Sequence, residues 1–241
     1  MLAVLSVEVR KLNRSLALLL SAAAPTLIAV FAFAMVLRSE KPSEWSMWIG
    51  SATAIWAYFM LPMCVTALTA LVAHMEHGPR SWDHLRALPV PRWTLYASKA
   101  VCVIGLVGIM SAAVLAMTVG AVVVGGFVKP EAAAVGRLDL PAHAWILAKM
   151  TAAAVLMTAL QFWTAIRFAS FVPGLVLGIG GTFFAVVATS AKQGVFMPWQ
   201  MPVNILATEA WRAQTALMLG GGLGMVVLAA AVIHLARREV R

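Results

Sequence analysis

Residues 100–126 read AVCVIGLVGIMSAAVLAMTVGAVVVGG, without one charged side chain. About 20 mostly apolar helical residues suffice to cross the hydrocarbon core of a bilayer. This run, which extends over 98–126, is long enough with residues to spare. Working outward, five more stretches of the same kind occupy 16–37, 47–73, 143–166, 172–190 and 214–235. Composition agrees. Hydrophobic residues make up 62% of the 241-residue chain and charged residues 11%, with mean hydropathy +0.91, whereas a soluble domain carries about 25% charge. The polar gaps at 38–45, 74–96, 128–142, 167–171 and 191–213 are too short to hold a soluble domain. The expected fold is all-α: one polytopic membrane domain over 1–241 with six transmembrane helices.

The net charge of +9 is read against a membrane rather than nucleic acid, because basic excess in such chains marks cytoplasmic loops and anionic headgroups. Six spans place Arg10, Lys11, Arg14, Arg80, Arg86, Arg92, Lys99, Arg167, Arg237, Arg238 and Arg241 on one side. Arg38, Lys41, Lys129, Arg137, Lys149, Lys192 and Arg212 fall on the other, four of them near Glu40, Glu44, Glu131 or Asp139. The richer side is assigned to the cytoplasm with both termini, as in a bacterial inner-membrane protein. The basic start followed by Leu16–Ala24 could be read as a signal peptide, but the apolar run continues through Leu37, too long for an h-region. Cys64 and Cys102 lie in apolar runs with no metal or redox spacing and are expected as buried thiols.

Two cytoplasmic elements stand out. In 1–15, Leu2, Leu5, Val9, Leu12 and Leu16 form a helical stripe with Arg10, Lys11 and Arg14 elsewhere, the pattern of an interfacial helix lying on lipid headgroups. In 74–96, Gly78-Pro79 breaks the preceding span and Ser81 can cap a short helix with Asp83 in its first turn. Trp82, Leu85 and Leu88 share one side, and Pro89-Val90-Pro91 ends the helix. Trp and Leu presented outward need a cover, and by physics alone membrane and partner protein are equal candidates.

The run His74-x-Glu76-His77-Gly78-x-x-x-Trp82-x-x-Leu85-x-Ala87-Leu88-Pro89-Val90-Pro91-Arg92-x-x-Leu95-Tyr96-x-x-Lys99 resembles the first cytoplasmic loop of type-2 ABC exporter permeases, closest to the lantibiotic (bacteriocin) immunity branch. Phe196-Met197-Pro198-Trp199-Gln200-Met201-Pro202 resembles the outer Pro-Trp segment of that branch. The resemblance implies that 74–96 carries a coupling helix, Arg80–Leu88 with Glu76 leading into it, which docks on an ATPase through Arg80, Trp82, Leu85, Arg86 and Leu88. It also implies two ATPase subunits that bind ATP and Mg, a second permease chain, and an amphipathic peptide as cargo, with drug or lipid export as the alternative.

This chain has no GxxxxGK[ST] loop, so ATP hydrolysis is assigned to the partner, with no cofactor or catalytic residue here. Gly174-x-x-x-Gly178 and Gly220-x-x-x-Gly224 have the spacing that lets helices approach closely. An ion-coupled secondary transporter would place acids inside spans, yet Glu8, Glu40, Glu44, Glu76, Asp83, Glu131, Asp139, Glu209 and Glu239 all fall outside the assigned ones. His74 and His77 form a lone HxxH with no third ligand, and no GxSxG is present. Trp45, Trp48, Trp93, Trp145, Trp199 and Trp211 are expected as an interfacial aromatic belt.

Overall fold

The computed structural model describes residues 1–78, 82–87, 89–189 and 191–237, without the side chains of Asp83 and Arg86. Most of the described residues are helical and none lies in a strand, with an isolated bridge between Glu44 and Val135. Short α1 (Leu2–Leu12) turns at Arg14, whose φ is +64°, into α2 (Leu16–Arg38). Ser15 caps α2, its hydroxyl accepting from Leu18 N–H at 3.3 Å. Then follow α3 (Trp45–His77), α4 (Trp82–Ala87) and α5 (Arg92–Val128). Next come α6 (Leu140–Ala153), α7 (Val155–Arg167), α8 (Val172–Ala188), a four-residue α9 (Met201–Asn204) and α10 (Ala210–Arg237). One apolar core runs through the bundle, from Leu12 and Ile28 through Trp56, Met110 and Met157 to Leu235.

Local chemistry explains the irregular helices. In α3 the backbone widens into a π-turn at Trp56–Met60 just before Pro62. Proline's ring collides with the carbonyl four residues earlier and offers no N–H, and a wider turn relieves both. A second π-turn, Ala216–Leu223, contains the Gly220–Gly222 run of α10. Helices α6 and α7 meet at Ala154 with a bend of 42°. A Cβ built on Gly220 would lie 2.9 Å from the Ala153 carbonyl carbon, and one on Gly224 would lie 2.6 Å from Leu156 N. The backbone of α10 therefore rests in the bend.

Four helices, α2, α3, α5 and α10, are long and apolar enough to cross a membrane, and the bent pair α6–α7 makes a fifth candidate. The sequence read 172–190 as a full sixth span. Helix α8 has 17 residues, about 26 Å at 1.5 Å each against a hydrocarbon core of about 30 Å, so it is the shortest of the series.

The segment 191–213, expected as an outer loop, packs in part against the bundle. Val195, Trp199, Gln200, Met201 and Asn204 are buried. Trp199 lies on Gly181 of α8, where a Cβ would come within 2.6 Å of the indole. Gln200 Nε2 donates to Thr189 Oγ1 at 3.1 Å and Asn204 Nδ2 to the Val195 carbonyl at 3.4 Å. The aromatic belt is correspondingly thinner than expected: Trp93, Trp145 and Trp211 are exposed, but Trp48 and Trp199 are core residues.

Candidate functional site

The densest polar chemistry lies where α1, the end of α3, α4 and the start of α5 meet. Four charged side chains close a ring of alternating sign. Lys99 Nζ donates to Glu8 Oε2 at 2.6 Å and to Glu76 Oε1 at 2.8 Å. Lys11 Nζ donates to Glu76 Oε1 at 2.7 Å and to Glu8 Oε1 at 3.1 Å. Lys99 is fully buried, and Glu8 and Glu76 nearly so. An isolated charge at such depth would be very unfavourable; two lysines and two glutamates make the cluster neutral, and each ion meets opposite charge on two sides. Burial pulls the Lys11 pKa down, but its hydrogen bond to Glu76 and the charge of Glu8 outweigh that, leaving it above the ordinary lysine value.

Helix α4 is seated against this ring by Trp82. The indole stacks on Tyr96 at 5.6 Å between centroids and 20° between planes, and Lys99 Nζ lies 5.8 Å from its centroid, a cation–π distance. Trp82 Nε1 donates to His77 Nδ1 at 3.0 Å. With Nδ1 accepting, the ring proton sits on Nε2, which donates to the Ala165 carbonyl at 3.2 Å. Trp82 thus ties α4 to α3 and α5, and His77 carries the link on to the end of α7.

The sequence-derived positions fall as follows. Glu76 is a corner of the buried ring. Trp82 is half-buried and turned onto the bundle rather than outward, because Tyr96 and His77 offer a stacking face and an acceptor that solvent does not match. Leu85 is half-buried, and His84 and Ala87 are the exposed described side chains of α4. Arg80 and Leu88 lie outside the described residues, as does the Arg86 side chain.

Gly178 faces Gln161, whose Nε2 lies 2.6 Å from a built Cβ, while a Cβ on Gly174 meets nothing within 4 Å. Gln161 is fully buried in α7. With its amide oriented to satisfy both ends, the oxygen accepts from Gly178 N–H at 2.9 Å and the nitrogen donates to the Gly174 carbonyl at 3.1 Å. Gln161 thereby grips both members of one helical rung of α8. In α1, Leu12 is buried, but Leu2 and Val9 are 83% and 55% exposed, and Glu8 rather than an aliphatic residue faces the bundle.

Sequence reasoning missed Glu8, Lys11, Lys99, His77 and Tyr96 as one site. A signal was present: Glu8 is the single acid before Glu40 in a strongly basic segment, and it shares a helical face with Leu5 and Leu12.

A sequence profile described as ABC-2 family transporter protein matches residues 4–189 of the chain. The chain belongs to the ABC-2 transporter family. The match takes in the ion ring, α4 and every helix through α8. This ABC-2 chain is a multi-pass membrane protein and a transmembrane permease subunit of an ABC transporter, a class that generally leaves ATP hydrolysis to separate ATPase subunits. No curated protein and no solved structure matches it.

Proposed function

We propose that the chain is the permease of an ATP-driven exporter, and that α4 is the coupling helix through which the ATPase moves the bundle. The observation that carries this reading is the seat of α4. A six-residue helix between two long spans, anchored by Trp82 on α3 and α5 and linked through His77 to the end of α7, passes a push on α4 to the spans around it. In this arrangement Glu76 and Trp82 serve coupling from the bundle side, while Arg80, Leu85, Arg86 and Leu88 meet the ATPase beside the exposed His84 and Ala87. The termini are cytoplasmic in a bacterial inner membrane, in keeping with the lysine and arginine bias. Helix α8 completes six spans, its 17 residues being within the range that bilayers accept. Two ATPase chains, which bind ATP and Mg, and a second permease chain complete the transporter. Gly174, Gly178, Gly220 and Gly224 serve helix packing.

The cargo is an amphipathic peptide, as the lantibiotic-immunity resemblance implies; drug or lipid export is the alternative. A crevice of about 520 Å³ between α2 and α3 supports an amphipathic cargo: Phe31, Met35 and Ile55 line its apolar part, with Arg38, Ser39 and Ser43 beside them. The test is hydrolysis. The purified chain alone should hydrolyse no ATP, and its complex with an ATPase subunit should. Turnover by the chain alone, or failure of any ABC ATPase to co-purify with it, would refute the proposal.

A further inference from the structure

Helix α1 is joined to α2 by Asn13, Arg14 and Ser15, with Arg14 in the left-handed region, so the two helices are not one rigid rod. What holds α1 to the bundle is instead the face carrying Glu8, Lys11 and Leu12. Two corners of the ion ring belong to α1, one to the last turn of α3 and one to α5, and the α5 corner, Lys99, also lies under the Trp82 indole. Removing one member of such a ring leaves a buried charge uncompensated, whereas the three-residue turn between α1 and α2 carries no ion pair among the described residues. The ring is therefore the stiff joint and the Asn13–Ser15 turn the soft one.

We infer that Glu8, Lys11, Glu76 and Lys99 latch α1 to the seat of α4, so that α1 travels with the coupling helix and swivels against α2. Lys99 is the positioning residue, since it touches both acids and lies against the α4 anchor. This rests on the reading of α4 as the coupling helix, but the latch itself is observable in the chain without a partner.

The test places spin labels at Val9→Cys and His84→Cys, both exposed positions on α1 and α4, in the full-length chain; Cys64 and Cys102 are buried. In lipid nanodiscs without ATPase, the Val9–His84 distance should form one narrow distribution. Lys99→Met should broaden it at least twofold. If Lys99→Met fails to fold, Glu8→Gln with Lys11→Met removes both α1 corners and leaves the neutral Lys99–Glu76 pair; that variant should fold and show the broad distribution. A narrow distribution in the folded variant overturns the latch, whatever the fate of the ATPase reading. In the complex, vanadate trapping with ATP should change a His84–Trp211→Cys distance while leaving Val9–His84 fixed. A Val9–His84 change as large as the His84–Trp211 change would also overturn the latch. No binding of an ATPase would instead count against the proposed function.

Discussion

Three consecutive glycines in α10 allow the packing of the bundle to be tested at single-methyl resolution. A Cβ on Gly222 meets nothing within 4 Å, and one on Gly221 lies 3.5 Å from the Ala152 oxygen, an ordinary contact. On Gly220 the methyl would lie 2.9 Å from both the Cα and the carbonyl carbon of Ala153, and closer still to that carbonyl oxygen. The obstructing atoms are backbone at the α6–α7 bend, so no side chain can rotate away. Replacing glycine by alanine where φ permits gains about 0.4–1 kcal/mol through the unfolded chain. Overpacking a filled site costs about 1–3 kcal/mol. Gly222→Ala and Gly221→Ala should thus be neutral to stabilising, while Gly220→Ala should lose about 1–2 kcal/mol. The spread of roughly 1–3 kcal/mol corresponds to about 5- to 150-fold in the unfolding equilibrium. Denaturing-detergent titration in mixed micelles, followed by tryptophan fluorescence, reads it directly. A Gly220→Ala protein as stable as Gly222→Ala would refute the placement of α10 in the bend.

Other outcomes follow from the ion ring and the chain's topology. Lys99→Met should lose about 3–5 kcal/mol of stability, with much of it regained when Glu8→Gln is added; strictly additive losses in the same titration would argue against the ring. The Lys11 pKa is raised, so the stability it contributes is fully present below the ordinary lysine value of about 10.4 and is lost as pH rises through the higher folded value. Melting curves should show no Lys11-dependent change between pH 7 and 9, with Lys11→Met as control, and an onset near neutrality would contradict the assignment. His77→Asn keeps an acceptor near the Nδ1 position and should hold Trp82, whereas His77→Leu should lose about 1 kcal/mol and shift Trp82 fluorescence; equal behaviour of the two would remove His77 from the seat. A reporter after Arg241 should mark the cytoplasm and one within 128–142 the outside, and the reverse result would overturn the orientation.

The spans were legible because bilayer thickness imposes a length that composition can meet or miss, and α2, α3, α5 and α10 meet it with ordinary apolar residues. The bend at Ala154 was not legible. Nothing at that position breaks a helix locally, and it takes Gly220 and Gly224 arriving from α10 to show where the backbone gives way. The segment 191–213 read as an outer loop because Lys192, Gln193, Gln200 and Asn204 are polar; Gln200 and Asn204 instead find Thr189 and Val195 inside the bundle. At the site, a short helix beginning near Trp82 was readable from turn chemistry and family resemblance. The direction of Trp82 was not, because an amphipathic stripe on six residues does not say which of two surfaces it faces. The ring was hidden for a similar reason. Glu8 and Lys99 are 91 residues apart, and each alone looks like an ordinary interfacial charge.

The central claim is that α4 is where the ATPase pushes. Single cysteines placed at exposed His84 on α4 and at exposed Lys41 between α2 and α3, each carrying a short photo-crosslinker, decide it in the assembled complex. A crosslink from His84→Cys to the ATPase chain is expected, and none from Lys41→Cys. A crosslink from Lys41→Cys, with His84→Cys silent, would contradict it.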